Sequence, residues 1–368
     1  MSQMSPQRRE IRSAYIEWAK LRSKARYNLA MSDVLAYPLS DLPVRIEDLE
    51  IAGPGGYGYQ PLLERLAIKG GIPVESVVSA QGTSMANHLA FAALVEPNDE
   101  VLIEEPAYEA LVSTARYFGA RVRRFPRQFE SGFQLDPREI ERAITPRTRL
   151  IVITNLHNPS GVRTPDATLR SVGDIARSVG AHVLVDEVYL EACFDSPWQS
   201  AFKLGSNFVS TSSLTKAYGL SGLRCGWIFA APELAQRMWR LNDLFGIAAA
   251  HVVELLSVAA LDHLPQIAAR ARKQIGTNRL LLRSLLDSRR NLLAIRLDAG
   301  TISFPMLTSG PADAFCHLLR EKYDTSVVPG RFFDAPEHFR IGIGGDTENV
   351  REGLSRVATA LEELNAKG

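Results

Sequence analysis

The chain has 368 residues, 46% of them apolar and 23% charged, which is ordinary for a globular protein and excludes a collagen, a long coiled coil or an extensively disordered chain. At roughly 100–200 residues per domain, the length suggests about two domains. Its 42 Lys and Arg against 41 Asp and Glu leave a net charge of +1, so no global field draws in nucleic acid or an anionic membrane.

The first twenty residues carry charge without an apolar core, and Glu10 and Glu17 argue against a transit peptide. Cys193, Cys225 and Cys316 are too few and too scattered for a disulfide framework, which fits a reducing, cytoplasmic setting. Short β-rich runs then recur at 77–79, 101–103, 149–154, 182–185, 208–211 and 226–230. Helix-length segments lie between them at 84–95, 108–118 and 165–179, the last with Thr164 as its expected N-cap ahead of a proline. A basic cluster, Arg116, Arg121, Arg123, Arg124 and Arg127, reads as a solvated strand face, because no aromatics interleave it to stack on bases. Strand and helix in alternation predict an α/β fold with a mainly parallel sheet covered by helices on both faces. The continuous apolar runs at 150–153 and 182–185 suit doubly covered strands.

The most apolar long window, 244–261, carries His251 and Glu254 and reads as a buried or interface helix rather than a membrane span. After about residue 285 the texture changes. Strands are expected at 291–297, 301–307, 326–328 and 338–343, with helices at 312–322 and 347–364. The expected organisation is a large domain over 46–284 and a smaller α+β domain assembled from 1–45 and 285–368.

Ligands in parallel sheets gather at the carboxyl ends of the strands, so the residues that follow each strand are the candidates. Thr83 and Ser84 open a helix directly after a strand, an anion site or a plain cap. Tyr108 follows the next strand and could lie flat on a ring or simply pack. The run at 154–161 ends in a turn that holds His157, read as structural, and Asn158, an amide at the sheet edge. Asp186 ends an apolar strand, where a buried carboxylate needs a partner: a cap, a salt bridge or a cationic ring nitrogen. Tyr189 lies three residues on. Ser213, Lys216 and Arg224 follow the strand at 208–211. An amine there can condense with a carbonyl, and hydroxyls with a guanidinium suit a phosphate.

Taken together, S-x-x-K with an arginine eight residues later, D-E-x-Y upstream, and an asparagine 28 residues before that aspartate resemble the fold-type I pyridoxal-phosphate enzymes of the class I and II aminotransferase family. The resemblance spans roughly residues 45–345 and implies that the mainly parallel sheet is seven-stranded. It implies pyridoxal 5'-phosphate held covalently by Lys216, which would also serve as general base and acid. It further implies Asp186 on the ring nitrogen, Tyr189 and Asn158 on the ring phenolate oxygen, Tyr108 stacked on the ring, and Thr83, Ser84, Ser213 and Arg224 on the phosphate. The late P-G…R-I pattern at 329–341 implies that Arg340, with Asn158, grips the substrate α-carboxylate. Tyr57 or Tyr59, with Tyr57 favoured, would reach the phosphate of a neighbouring subunit and so require a homodimer with shared sites. No metal is implied.

Residues 28–34 replace the family's glycine-bearing substrate loop, and no arginine stands at 244–252 for a second carboxylate, which points away from a dicarboxylate specialist. The leading expectation is a ping-pong aminotransferase acting on an amino acid and a 2-oxo acid. A lyase, decarboxylase or oxidative enzyme on the same scaffold is the alternative, and a non-catalytic cofactor-binding module the third reading.

Overall fold

A computed structural model describes residues 11–366 other than residue 309. The parts of the expected N-terminal segment at 1–10 and of the C-terminus at 367–368 lie outside the described residues. Seven strands form one sheet: β1 (Val77–Gln81), β2 (Glu100–Glu105), β3 (Arg121–Pro126), β4 (Thr148–Thr154), β5 (His182–Asp186), β6 (Phe208–Ser213) and β7 (Cys225–Phe229). Their order is β1-β7-β6-β5-β4-β2-β3. All neighbours are parallel except β7, which runs antiparallel to both β1 and β6.

Successive side chains of a strand face opposite sides, and the core follows that rule. From β4 and β5, Leu150, Val152 and Leu184 join one apolar layer, while Ile151, Ile153, Val183 and Val185 join the other. The first layer is closed by α3 (Gly82–Leu94), α4 (Glu109–Tyr117) and α7 (Pro232–Phe245), the second by α5 (Pro137–Ala143) and α6 (Asp166–Ser178). In α6, Leu169, Val172, Gly173 and Ala176 fall on one helical stripe and are buried. Burying Leu169 and Val172 contributes about 1.5–3 kcal/mol each, which outweighs the roughly 1 kcal/mol helix penalty of Gly173.

The helix at 165–179 starts one residue later than expected, with Pro165 as its N-cap. Thr164 is not the cap, because its hydroxyl accepts a bond from Arg127 (3.3 Å) and its N–H bonds the Asn155 amide. The basic cluster is not wholly solvated either. Arg127 is buried against Glu104 at 2.8 Å, where β3 leaves the surface. The apolar window at 244–261 is not one helix. It breaks over 246–250 between α7 and α8 (His251–Asp262), with Leu244 and Ile247 exposed. Among the described residues no single helix is long and apolar enough to cross a membrane.

A second core gathers Leu282 and Leu285 of α9 (Leu264–Asp287), Phe315 and Leu319 of α10 (Asp313–Tyr323), Leu354, Val357 and Leu361 of α11 (Thr347–Ala366), and Phe339 and Ile341. Its strands are shorter than expected. The run 301–307 splits into Ile302–Ser303 and Met306–Leu307 around Pro305, which has no N–H for a ladder, and 291–297 shrinks to Leu292–Leu293. Residues near the N-terminus do pack on this unit: Tyr27–Asn28 pairs parallel with Thr325–Ser326, and Leu29 enters its core. Helix α1 (Ala14–Leu21) behaves differently. Its Tyr15 and Trp18 wedge into a cluster shared by Phe133 and Val162 on one side and Phe304, Val328 and Phe333 on the other.

Candidate active site

The parallel strands deliver their carboxyl ends to one edge of the sheet, and reversed β7 delivers its amino end to the same edge. Arg224, immediately before β7, therefore meets the residues that follow β1, β4, β5 and β6. An open cleft lies there.

At one end is a cradle for an anion. Thr83 and Ser84 occupy the first turn of α3, whose free N–H groups and dipole favour negative charge. The turn into α3 is made by Gly82 at φ +75°, and a Cβ there would lie 2.3 Å from the Arg224 guanidinium. Arg224 donates to the Gln81 carbonyl at 3.3 Å, so the cation rests against the helix start. Ser213 lines the same end. The Thr83 hydroxyl is buried without a hydrogen-bond partner.

In the middle stands Asp186, at the tip of β5 and 4% exposed. It accepts bonds from the Asn87 amide (2.8 Å) and the Val188 N–H (3.1 Å). Asn87 is itself oriented by the Thr211 hydroxyl at 2.6 Å. Burial raises the Asp186 pKa to about 6, opposed by the Asn87 and Val188 bonds. An acid so placed lacks a cation, which a protonated ring nitrogen would provide.

Lys216, three residues after β6, points into the cleft with 26% of its side chain exposed. Burial works against its charge, but Tyr189, the Asp33 carboxylate and Tyr15 outweigh it and hold the pKa above the usual lysine value. Asp33 lies 3.6 Å away. The Tyr189 hydroxyl donates to Ser32 at 2.7 Å.

The far end is built around Arg340, which is 1% exposed. Its guanidinium donates to Asn158 Oδ1 (2.8 Å), the Tyr15 hydroxyl (2.8 Å) and the Ala30 carbonyl (3.3 Å). Its Nε has no hydrogen-bond partner, and no described carboxylate pairs with it. Tyr15 meets Tyr108 edge-on at 5.6 Å, so α1 roofs this end.

The cleft thus brings together Thr83, Ser84, Tyr108, Asn158, Asp186, Tyr189, Ser213, Lys216, Arg224 and Arg340. Tyr57 is not among them. It is 55% exposed on a glycine-rich loop, its hydroxyl on Asp243 at 3.1 Å, and Tyr59 packs edge-on against His251. His157 is structural, fully buried between the Ser160 hydroxyl (2.6 Å) and the Pro106 carbonyl (2.9 Å). Sequence reasoning missed Asn87, Tyr15, Ser32 and Asp33. Asn87 carried a signal, since it lies one helical turn after Thr83 on the same face. The other three come from the N-terminal stretch and carried none.

The donor set fits pyridoxal phosphate. The orphaned Thr83 hydroxyl and the Arg224 cradle suit its phosphate, Asp186 suits a protonated ring nitrogen, and Lys216 in the same cleft offers an amine for its carbonyl carbon.

Comparison with known proteins agrees. A family model described as aminotransferase class I and II matches residues 55–357. Arginine–pyruvate transaminase AruH of Pseudomonas aeruginosa is 29% identical over 80% of this chain and 76% of its own. Aspartate aminotransferase of Pyrococcus horikoshii is 26% identical over 79% and 76%. Among solved structures, a PLP-dependent aminotransferase from Streptococcus suis superposes with a TM-score of 0.90 at 25% identity, covering 96% of this chain and 98% of that one.

Proposed function

The chain belongs to the class I and II aminotransferase family and is a pyridoxal-phosphate-dependent aminotransferase, and from that premise we propose the part each cleft residue takes in moving an amino group from an amino acid to a 2-oxo acid. The observation that carries the assignment is Arg340, a buried guanidinium with no anion partner among the described residues, in the same cleft as Lys216 and Asp186. An α-carboxylate completes it with a two-pronged contact, Asn158 and Tyr15 fixing the plane of the fork.

When bound, pyridoxal phosphate supplies an electron-withdrawing ring that stabilises negative charge at the substrate Cα. Lys216 would hold the cofactor through Nζ and, once the substrate amine has displaced it, its freed amine would take the proton from the substrate Cα and return it as general acid. Asp186, kept in place by Asn87, pairs with the ring N–H and holds that proton on the nitrogen. Tyr189 and Asn158 direct hydrogen bonds to the ring oxygen; the Tyr189 O–H turns from Ser32 to do so. Thr83, Ser84, Ser213 and Arg224 bind the phosphate, and Tyr108 covers the ring.

Tyr57 reaches the phosphate of a second copy, so the working unit is a homodimer with shared sites. Its exposed place among Gly53, Gly55, Gly56 and Gly58 supports this reading. The division into a large unit over 46–284 and a small one from 1–45 and 285–368 is supported by the two separate cores, with α9 running through the boundary. Three buried free cysteines support a reducing, cytoplasmic setting and a place in amino acid metabolism there. The named relatives take donors of opposite charge, so their names do not select one for this chain. The cations that line the cleft are Lys216, Arg224 and Arg340, each with a role above, which argues against a dicarboxylate specialist.

The test is the Lys216→Ala variant in single-turnover half-reactions. Both the borohydride-reducible link and the amino-donor half-reaction are expected to vanish. An unaltered half-reaction sinks the assignment, and ammonia release without an acceptor favours a lyase instead.

A further inference from the structure

Asp33 has no part in the scheme above, yet it is the acidic side chain nearest the reacting lysine. Its carboxylate lies 3.6 Å from Lys216 Nζ and is 18% exposed. The backbone that carries it is pinned from both sides. On the sheet side, the Val34 N–H donates to the Lys216 carbonyl at 3.0 Å. On the other side, Thr301 donates to the Ser32 carbonyl at 2.6 Å, and the Gly342 N–H donates to the Leu29 carbonyl at 2.7 Å. The approach at Gly342 is so close that a Cβ there would sit 1.7 Å from the Met31 carbonyl oxygen. A carboxylate on so fixed a segment is preorganised and does not adapt to whatever enters.

In the cofactor-loaded enzyme, Lys216 is tied to the cofactor and ceases to be a free ammonium. Asp33 is then left as a partly desolvated carboxylate without its cation, a costly state unless something positive arrives. The same segment bounds the distance at which it would arrive. The Ala30 carbonyl touches Arg340, and Asp33 follows three residues later, at most about 10 Å of chain. A substrate whose carboxylate sits on Arg340 can span that distance with a long aliphatic side chain ending in a cation.

We propose that Asp33 selects the amino donor: the enzyme prefers amino acids whose side chain ends in an ammonium or guanidinium, which Asp33 receives. This rests on the aminotransferase reading and on Arg340 as the α-carboxylate site. It also accounts for the segment at 28–34 departing from a glycine-bearing loop, because glycine offers no charge.

The test uses the holoenzyme and the Asp33→Asn variant in single-turnover half-reactions, with arginine and lysine against norleucine, an uncharged donor of similar length. The readout is the ratio of kcat/KM for cationic over uncharged donor, which is unmoved by a loss shared by both donors. That ratio is expected to favour the cationic donor in the wild type and to fall roughly tenfold to a hundredfold in Asp33→Asn. A second readout is independent of turnover: the calorimetric affinity of deaminated arginine, which keeps carboxylate and guanidinium but lacks the reacting amine, against hexanoate. The variant is expected to lose the preference there too. Equal loss for all donors would make Asp33 a positioning residue for Lys216 and overturn the proposal, as would a wild type that favours norleucine. If no donor at all reacts in the wild type, the aminotransferase reading falls, and the selectivity proposal falls with it.

Discussion

The carboxyl at the tip of β5 makes the cofactor-free protein sensitive to pH in a calculable way. Asp186 titrates at about 6 in the folded chain against an ordinary 3.8, because burial penalises its charge more than Asn87 and Val188 relieve it. Between those values the folded form binds more protons than the unfolded form, so stability falls as pH rises from about 4 to about 6. A shift of about two units corresponds to about 3 kcal/mol over that window. Asp186→Asn keeps the shape and the oxygen that accepts from Asn87, but cannot ionise. In urea unfolding of cofactor-free protein, the variant should gain on the wild type by up to about 3 kcal/mol between pH 4 and pH 6 and then hold that margin. Glu187, the next residue, titrates at about 8 owing to burial and adds a further decline at higher pH. It is common to both proteins and cancels in the difference. Cofactor loading should erase the Asp186 part alone, since a ring N–H stabilises the ionised acid. A wild-type-minus-variant difference that stays flat across the window would refute the reasoning.

Arg127→Ala strands Glu104 in the core with only its bonds to Thr154, and should cost about 3–5 kcal/mol in urea unfolding. A loss below about 1 kcal/mol would mean that water reaches the pair. Tyr57→Phe should weaken cofactor retention by about 1.5–3 kcal/mol in a protein that sediments as a dimer, measured as the rate and extent of cofactor loss on dilution. Unchanged retention would leave the neighbour's phosphate to Tyr59 or to neither.

Much of the site was legible because its chemistry punctuates apolar strands. Asp186 ends β5, Lys216 follows β6 and Thr83 follows β1, and the shared direction of those strands sends their ends to one edge. Arg224 was legible by spacing alone, and the reason is the reversed direction of β7. The N-terminal contributors were not legible. Tyr15 reaches Arg340 across 325 positions, through a wedge of aromatic rings whose packing no local pattern encodes. Thr164 shows a local rule losing to a tertiary one, since its hydroxyl serves the buried Arg127 rather than the helix start.

The reversal of β7 also makes the connection from Lys216 to Arg224 a molecular ruler. β6 is locked to β7 with Ser213 opposite Gly226, and β7 is locked in turn to β1 with Gln81 opposite Cys225. One residue inserted or deleted in that connection cannot be absorbed by sliding β7, because a slip by one turns every side chain of the strand to the other face, against two partners at once. The error would fall on the connection itself, whose Ala217, Tyr218 and Leu220 are buried and whose Gly219 packs against the Leu35 carbonyl with no room for a Cβ. Most surface connections of this protein can drift in length over evolution, but the eight-residue step from lysine to arginine is held fixed by the weave of the sheet beneath it.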